Sequence, residues 1–177
     1  PIDGTSNFVA GVPYFAVSVA YLYKGERQLG VVYDPIADEM FSAVRGGGAH
    51  LNGTPLPLRA PATELRRALA GVEMKRIDRA LAGRLASWPP YASQRNFGAS
   101  TLDWCYTAAG RFDIYVHGGQ KLWDYAAGAL ILEEAGGQLS SLSGNFDIAN
   151  IWERSVVASA SPELFKLWRD WLKAAGA

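Results

Sequence analysis

The chain reads as an α/β protein in which helices pack on sheets. Three observations predict this class. Between Pro13 and Arg45, β-branched and aromatic runs are cut by short polar turns, as in a meander of strands. After residue 65, strand-like and helix-like stretches alternate, which argues for helices laid on a sheet. With 177 residues, 49% of them hydrophobic and 19% charged, the chain has enough apolar surface for a substantial core.

Pro13–Tyr23 is the first predicted strand, and Lys24–Arg27 its turn. A second strand covers Gln28–Tyr33 and stops at Asp34-Pro35, because proline has no amide proton for the ladder. A third, Glu39–Arg45, ends at Gly46-Gly47-Gly48, and His50–Pro61 reads as loop around an Asn52-Gly53 turn. Ala68–Met74 is a short apolar strand. Ile77, Leu81, Leu85 and Trp88 then recur at helical spacing until Pro89-Pro90. Arg95–Phe97 reads as a brief strand, Ala99–Gly110 as a helix and Phe112–Val116 as another strand. Asp124–Glu134 is apolar nearly all round, the pattern of a buried helix, and Gly136-Gly137 closes it. Ser155–Ala158 is the last strand. Ser161 caps a final helix with Pro162 in its first turn and Phe165, Trp168 and Leu172 on its inner face. The first half, strand-rich, leans on helices this chain does not contain. Residues 1–60 are expected to be the remainder of an N-terminal α+β half, and 61–177 a C-terminal α/β half.

Seventeen basic and seventeen acidic residues balance to a net charge of zero, so no basic face advertises nucleic-acid binding. No apolar run is long enough to span a bilayer. The single cysteine, Cys105, leaves no internal disulfide and suits a reducing cytoplasm, the expected location. Pro1 opens the chain in mid-motif, so residues are expected to precede it.

Two stretches carry candidate chemistry. In Asp3-Gly4-Thr5-Ser6-Asn7 a carboxylate is followed by a glycine and three small polar residues, and free amides around Gly4 and Thr5 could cradle an anion. Read alone, the same residues also make a hairpin turn and a helix cap. In Trp123–Gly128, Asp124 stands at the start of an apolar helix, where an ordinary N-cap explains it as well as a ligand does. Together they say more. Two carboxylates from distant loops, beside an anion nest, are the minimal protein side of a magnesium–phosphate site, because hard divalent cations take oxygen ligands.

Here a resemblance becomes plain. Pro1–Phe8 resembles the DPIDGTTNF signature of the inositol monophosphatase family, entered one residue late, and Trp123–Gly137 resembles its WDxAAG…EAGG signature. Gly30–Pro35, Gly46–Gly53 and Gly98–Gly110 are similar to the family in the same order, so the likeness runs over nearly the whole chain. It implies a layered α-β-α-β-α sandwich whose N-terminal helices and part of the first sheet are absent here. It also implies Mg2+-dependent hydrolysis of a small phosphate monoester by metal-activated water, and pairing as a homodimer. By the resemblance, Ile2 (through its carbonyl), Asp3 and Asp124 are metal ligands. Gly4, Thr5 and Ser6 hold phosphate, the Thr5 hydroxyl positions the attacking water, and Asp3 and Asp124 join it as catalytic residues. Gly98, Ala99, Ser100 and His117 line the substrate side.

The departures matter as much. The family's upstream glutamate and the aspartate before Pro1 are missing from the sequence, so this polypeptide alone is expected to be inactive. Ser6 replaces a threonine and keeps the hydroxyl. His117 stands where inositol phosphatases carry a glutamate, which favours another sugar phosphate or a second anionic group; the duller reading leaves it at the pocket rim. Fructose-1,6-bisphosphatase or 3′-phosphoadenosine-phosphate phosphatase activity, or a non-catalytic role, are the alternatives. The remaining residues take plain readings: His50 in a surface loop, Cys105 buried, Trp168 and Trp171 packing the last helix, Arg66 and Arg67 on a solvated face, and Asp103 exposed on its helix.

Overall fold

The structure, a computed structural model, describes residues 2–144, 146 and 153–175. Its first sheet holds six antiparallel strands in chain order: β1 (Ile2–Asp3), β2 (Ala16–Tyr23), β3 (Glu26–Asp34), β4 (Glu39–Val44), β5 (Ala49–Leu51) and β6 (Thr54–Pro55). The second sheet has the order β10 (Gln138–Ser140), β11 (Glu153–Ser159), β9 (Ile114–Lys121), β7 (Leu69–Glu73), β8 (Ser93–Arg95). There β7 runs parallel to β8 and β9, while β11 is antiparallel to β9 and β10. Among the described residues the α-helices are α1 (Thr5–Ala10), α2 (Arg79–Ser87), α3 (Ser100–Ala108), α4 (Leu122–Glu134) and α5 (Pro162–Ala175).

Layering follows from which faces are apolar. Tyr125 to Leu132 of α4 are buried without a break, as a helix needs when neighbours surround it. One core joins Val32 and Phe41 of the first sheet, Leu102 and Trp104 of α3, Leu130 and Ile131 of α4, and Tyr115 and Val156 of the second sheet. A second core lies on the far face of that sheet, where Val72, Ile114 and Val157 meet Leu81 and Leu85 of α2 and Leu164 and Trp168 of α5. The layers are therefore first sheet, α3 with α4, second sheet, α2 with α5. On the outer face of the first sheet, Val17, Val19, Tyr21 and Tyr23 alternate outward and stay exposed, at 41–57% of their full surface.

Several elements differ from the expectation. Residues 5–10 form a short helix and not a turn; none of its residues is buried, so no apolar periodicity announces it. The expected loop over His50–Pro61 contains β5 and β6, joined through Asn52 and Gly53 with φ of 47° and 82°, both positive as a two-residue hairpin turn requires. Glu26 and Arg27 belong to β3, and β9 runs five residues past Val116 to Lys121. Asp124 is not the N-cap of α4 but its third residue. No described helix is long and apolar enough to cross a membrane.

Gly30 sets the spacing between β3 and α4. A Cβ there would stand 2.7 Å from the Ala127 carbonyl oxygen and 2.9 Å from its Cα. Backbone cannot yield as a side-chain tip can, so Gly30→Val is expected to destabilise the fold by about 1–3 kcal/mol, read from urea unfolding.

Candidate active site

Asp3 closes β1 opposite Ala16 of β2. Its Oδ2 accepts the Thr101 amide at 2.7 Å, the Thr101 hydroxyl at 2.9 Å and the Ser100 hydroxyl at 3.4 Å, all from the first turn of α3. Its Oδ1 accepts the Gly4 amide at 2.9 Å. Gly4 then turns the chain into α1 with φ of 78°, a left-handed value that favours glycine, in a space where a Cβ would come within 3.0 Å of the Tyr14 carbonyl oxygen. The Thr5 hydroxyl donates to the Ile2 carbonyl at 3.2 Å. Asn7 fixes the other side: its Nδ2 donates to the carbonyls of Tyr14 at 2.8 Å and Phe97 at 2.7 Å, which ties α1 to the loop before Gly98.

Asp124 comes from the opposite direction. As the third residue of α4 it accepts the Lys121 amide at 2.9 Å, so capping and aiming are one arrangement. Burial holds its carboxyl above the ordinary aspartate range; the Lys121 amide opposes this and the nearby Asp3 charge reinforces it.

These residues meet at two adjoining clefts. The larger, about 440 Å³, is lined by Ile2, Asp3, Gly4, Thr5, Ser6, Ser18, Gly98, Trp123 and Asp124. The smaller, about 210 Å³, shares Asp3, Gly98 and Asp124 with it and adds, among others, Ala99, Ser100 and His117. All ten residues singled out in the sequence thus face one or both clefts. A further hollow, between Leu81 of α2 and Leu172 of α5, shares no residue with either.

Some residues of the site escape sequence reasoning. Asp103, expected on an exposed helix face, is 5% exposed, because α3 is enclosed on nearly every side. Burial, with the charges of Asp3 and Glu73, pushes its carboxyl well above the usual range, and its Oδ1 has no hydrogen-bond partner. Thr101 and Asn7 act through pairs of bonds to residues elsewhere in the chain that no spacing rule reveals. Lys75 and Arg76, which also line the smaller cleft, look like any solvated turn in the sequence.

The donors fit a hard cation in part. Asp3, Asp124 and Ile2 line one cleft, and burial, reinforced by the Asp3 charge, raises the Asp103 and Asp124 carboxyls, a stress that a cation relieves. Among the described residues no three His, Cys, Asp or Glu side chains gather as a ready metal cluster, so the chain supplies a partial ligand set.

Comparison with known proteins decides the kinship. Residues 1–172 match the inositol monophosphatase family. The chain belongs to that family. It is 43% identical over 155 residues to the Nus factor SuhB of Pasteurella multocida, covering 81% of this chain and 55% of that protein. It is 37% identical over 163 residues to an inositol-1-monophosphatase of Mesorhizobium japonicum, covering 89% and 60%. Among solved structures, SaIMPase-II with inositol monophosphate bound, a Staphylococcus aureus enzyme, superposes with a TM-score of 0.86 at 29% identity, over 98% of this chain and 68% of that one. The family fold expected from the signatures is therefore the fold observed. The chain spans well under two thirds of the two curated relatives.

His117, which lines the smaller cleft, is mostly enclosed. Burial lowers its imidazole from 6.5 to about 4, with Arg76 and Lys75 pulling the same way and Glu73 and Asp3 against. Between those two values the unfolded chain binds the proton more readily than the folded one, so this group favours the fold above about pH 6.5 and that support fades as pH falls toward 4. Thermal unfolding followed from pH 7.5 down to pH 4 is expected to show a declining midpoint, and a shallower decline in His117→Gln.

Proposed function

We propose that this chain forms the phosphate-seating half of a magnesium-dependent phosphatase acting on a small phosphate monoester, an inositol phosphate or a related sugar phosphate. What carries the reading is the convergence of Asp3, Thr5 and Asp124 on a single cleft that Gly4 and Ser6 also line. The inositol monophosphate found in SaIMPase-II supports the substrate class.

Asp3, Asp124 and the Ile2 carbonyl would hold Mg2+. Bound there, the ion supplies Lewis-acid polarisation of the phosphate and acidification of a water. The chain's own residues do the rest. The Gly4 amide is given to Asp3 Oδ1, so the Thr5 and Ser6 amides that open α1 seat the phosphate oxygens. The Thr5 hydroxyl spends its proton on the Ile2 carbonyl, so its lone pairs are left to accept from a water and orient it. Gly98, Ala99 and Ser100 bound the leaving group's side of the cleft.

The name of the Pasteurella relative favours a second reading, in which the protein acts as a Nus factor and not by turnover. One assay separates the two. The protein should be expressed with every residue its gene encodes and tested for Mg2+-dependent phosphate release from myo-inositol 1-phosphate and fructose 1,6-bisphosphate. Asp124→Asn is expected to lower kcat by at least about a hundredfold. Full activity in Asp124→Asn contradicts the assigned site, and no release from any ester leaves the second reading standing.

A further inference from the structure

The hollow between α2 and α5 lies in the outermost layer and measures about 280 Å³, close to the lower end of ligand-pocket volumes. Half of its lining is aliphatic: Leu81 of α2, Leu172 of α5, Val157 of β11 and Leu142 just past β10. Leu81, Val157 and Leu172 belong to the second core, so the hollow opens onto core side chains and not onto a polar surface. Protein interiors pack with few voids larger than a water molecule, and a space of this size against a core is room for a guest.

The rest of the lining is polar, with Arg169 and Lys173 its cations and Asp78 its one carboxylate. Asp78 is occupied: its Oδ1 accepts the Ala80 and Leu81 amides at 2.8 and 3.4 Å and caps α2. Among the described residues it pairs with neither cation, and neither cation meets any other carboxylate or hydrogen-bond acceptor.

Arg169 and Lys173 stand four apart on α5, the spacing that puts two side chains on one face, where like charges cost a helix stability. The helix dipole accounts for Lys173, in the last turn, but not for Arg169, a turn earlier. Arg169 is nevertheless held in place. Its guanidinium lies over the Phe165 ring at 5.9 Å, and Gly144 approaches so closely that a Cβ there would stand 3.2 Å from Nη2. An oriented guanidinium with five donors and no described acceptor, beside a second cation, fits the paired oxygens of a carboxylate.

We infer that this hollow binds a small amphipathic anion, an apolar body bearing one carboxylate, with the head against Arg169 and Lys173 and the body against Leu81, Val157 and Leu172. The site is independent of the phosphatase reading, since it shares no residue with either cleft that carries it.

Three probes separate head from body in calorimetric titrations of the full gene product: 4-phenylbutyrate, its uncharged amide 4-phenylbutyramide, and acetate. Phenylbutyrate is expected to bind one site per chain, at least about tenfold more tightly than the amide or acetate. In Arg169→Gln/Lys173→Gln, with the fold checked by circular dichroism, its affinity should fall to that of the amide. Lys173→Glu, a single change at an exposed position, should weaken it as well and decides the matter should the double variant misfold. Equal affinity for acid and amide, or acetate binding as tightly as phenylbutyrate, overturns the inference. So does a lack of saturable binding at millimolar concentrations, or an affinity unchanged in the folded variants.

Discussion

The site depends on one contact between the two ends of the described chain's chemistry: the Asp3 carboxylate seated on the first turn of α3. Three donors from Ser100 and Thr101 converge on Oδ2, and the Gly4 amide takes Oδ1. A helix N-terminus has amides with no partner inside the helix, and a carboxylate both satisfies them and meets the positive end of the helix dipole. The bond does structural and functional duty at once. It joins the edge of the first sheet to the helix layer, and it sets where the start of α1 and the Gly98–Ser100 backbone stand relative to each other.

From that contact the cleft inherits its electrostatics. Fixing Asp3 beside α3 brings it close to Asp103 below and Asp124 opposite, and the like charges, added to burial, raise both of those carboxyls. Four carboxylates, Asp3, Glu73, Asp103 and Asp124, line the smaller cleft, a gathering that a fold seldom tolerates without a use. Lys75 and Arg76 line the smaller cleft as well, on a loop held by a glycine that leaves no room beneath it.

How far the sequence could be read follows from what each element requires of it. β2 to β4 declare themselves by β-branched alternation and polar turns, and α4 and α5 by an apolar cylinder and an apolar stripe. Asp3 and Asp124 were legible because their neighbours form two long signatures in register. The six-residue α1 was not, since it buries nothing and is defined by glycines at both ends. Nor was the burial of Asp103: on a helix enclosed by two sheets and a neighbouring helix, a polar residue gives no hint that every face is an inner face. Asn7, Thr101 and Arg76 matter through contacts with residues far along the chain, which a linear reading cannot pair.

The seating of Asp3 by Thr101 is tested most directly by metal affinity. Thr101→Val keeps the shape of the side chain and the backbone amide but removes the hydroxyl that donates at 2.9 Å. Mn2+ can stand in for magnesium and be titrated by electron paramagnetic resonance in the full gene product, wild type against variant, with circular dichroism checking the fold. If Thr101 positions Asp3 for the cation, the variant stays folded and binds Mn2+ several-fold more weakly, as the loss of about 0.5–1.5 kcal/mol from one hydrogen bond implies. Unchanged affinity in a folded variant would contradict the claim that this contact builds the site.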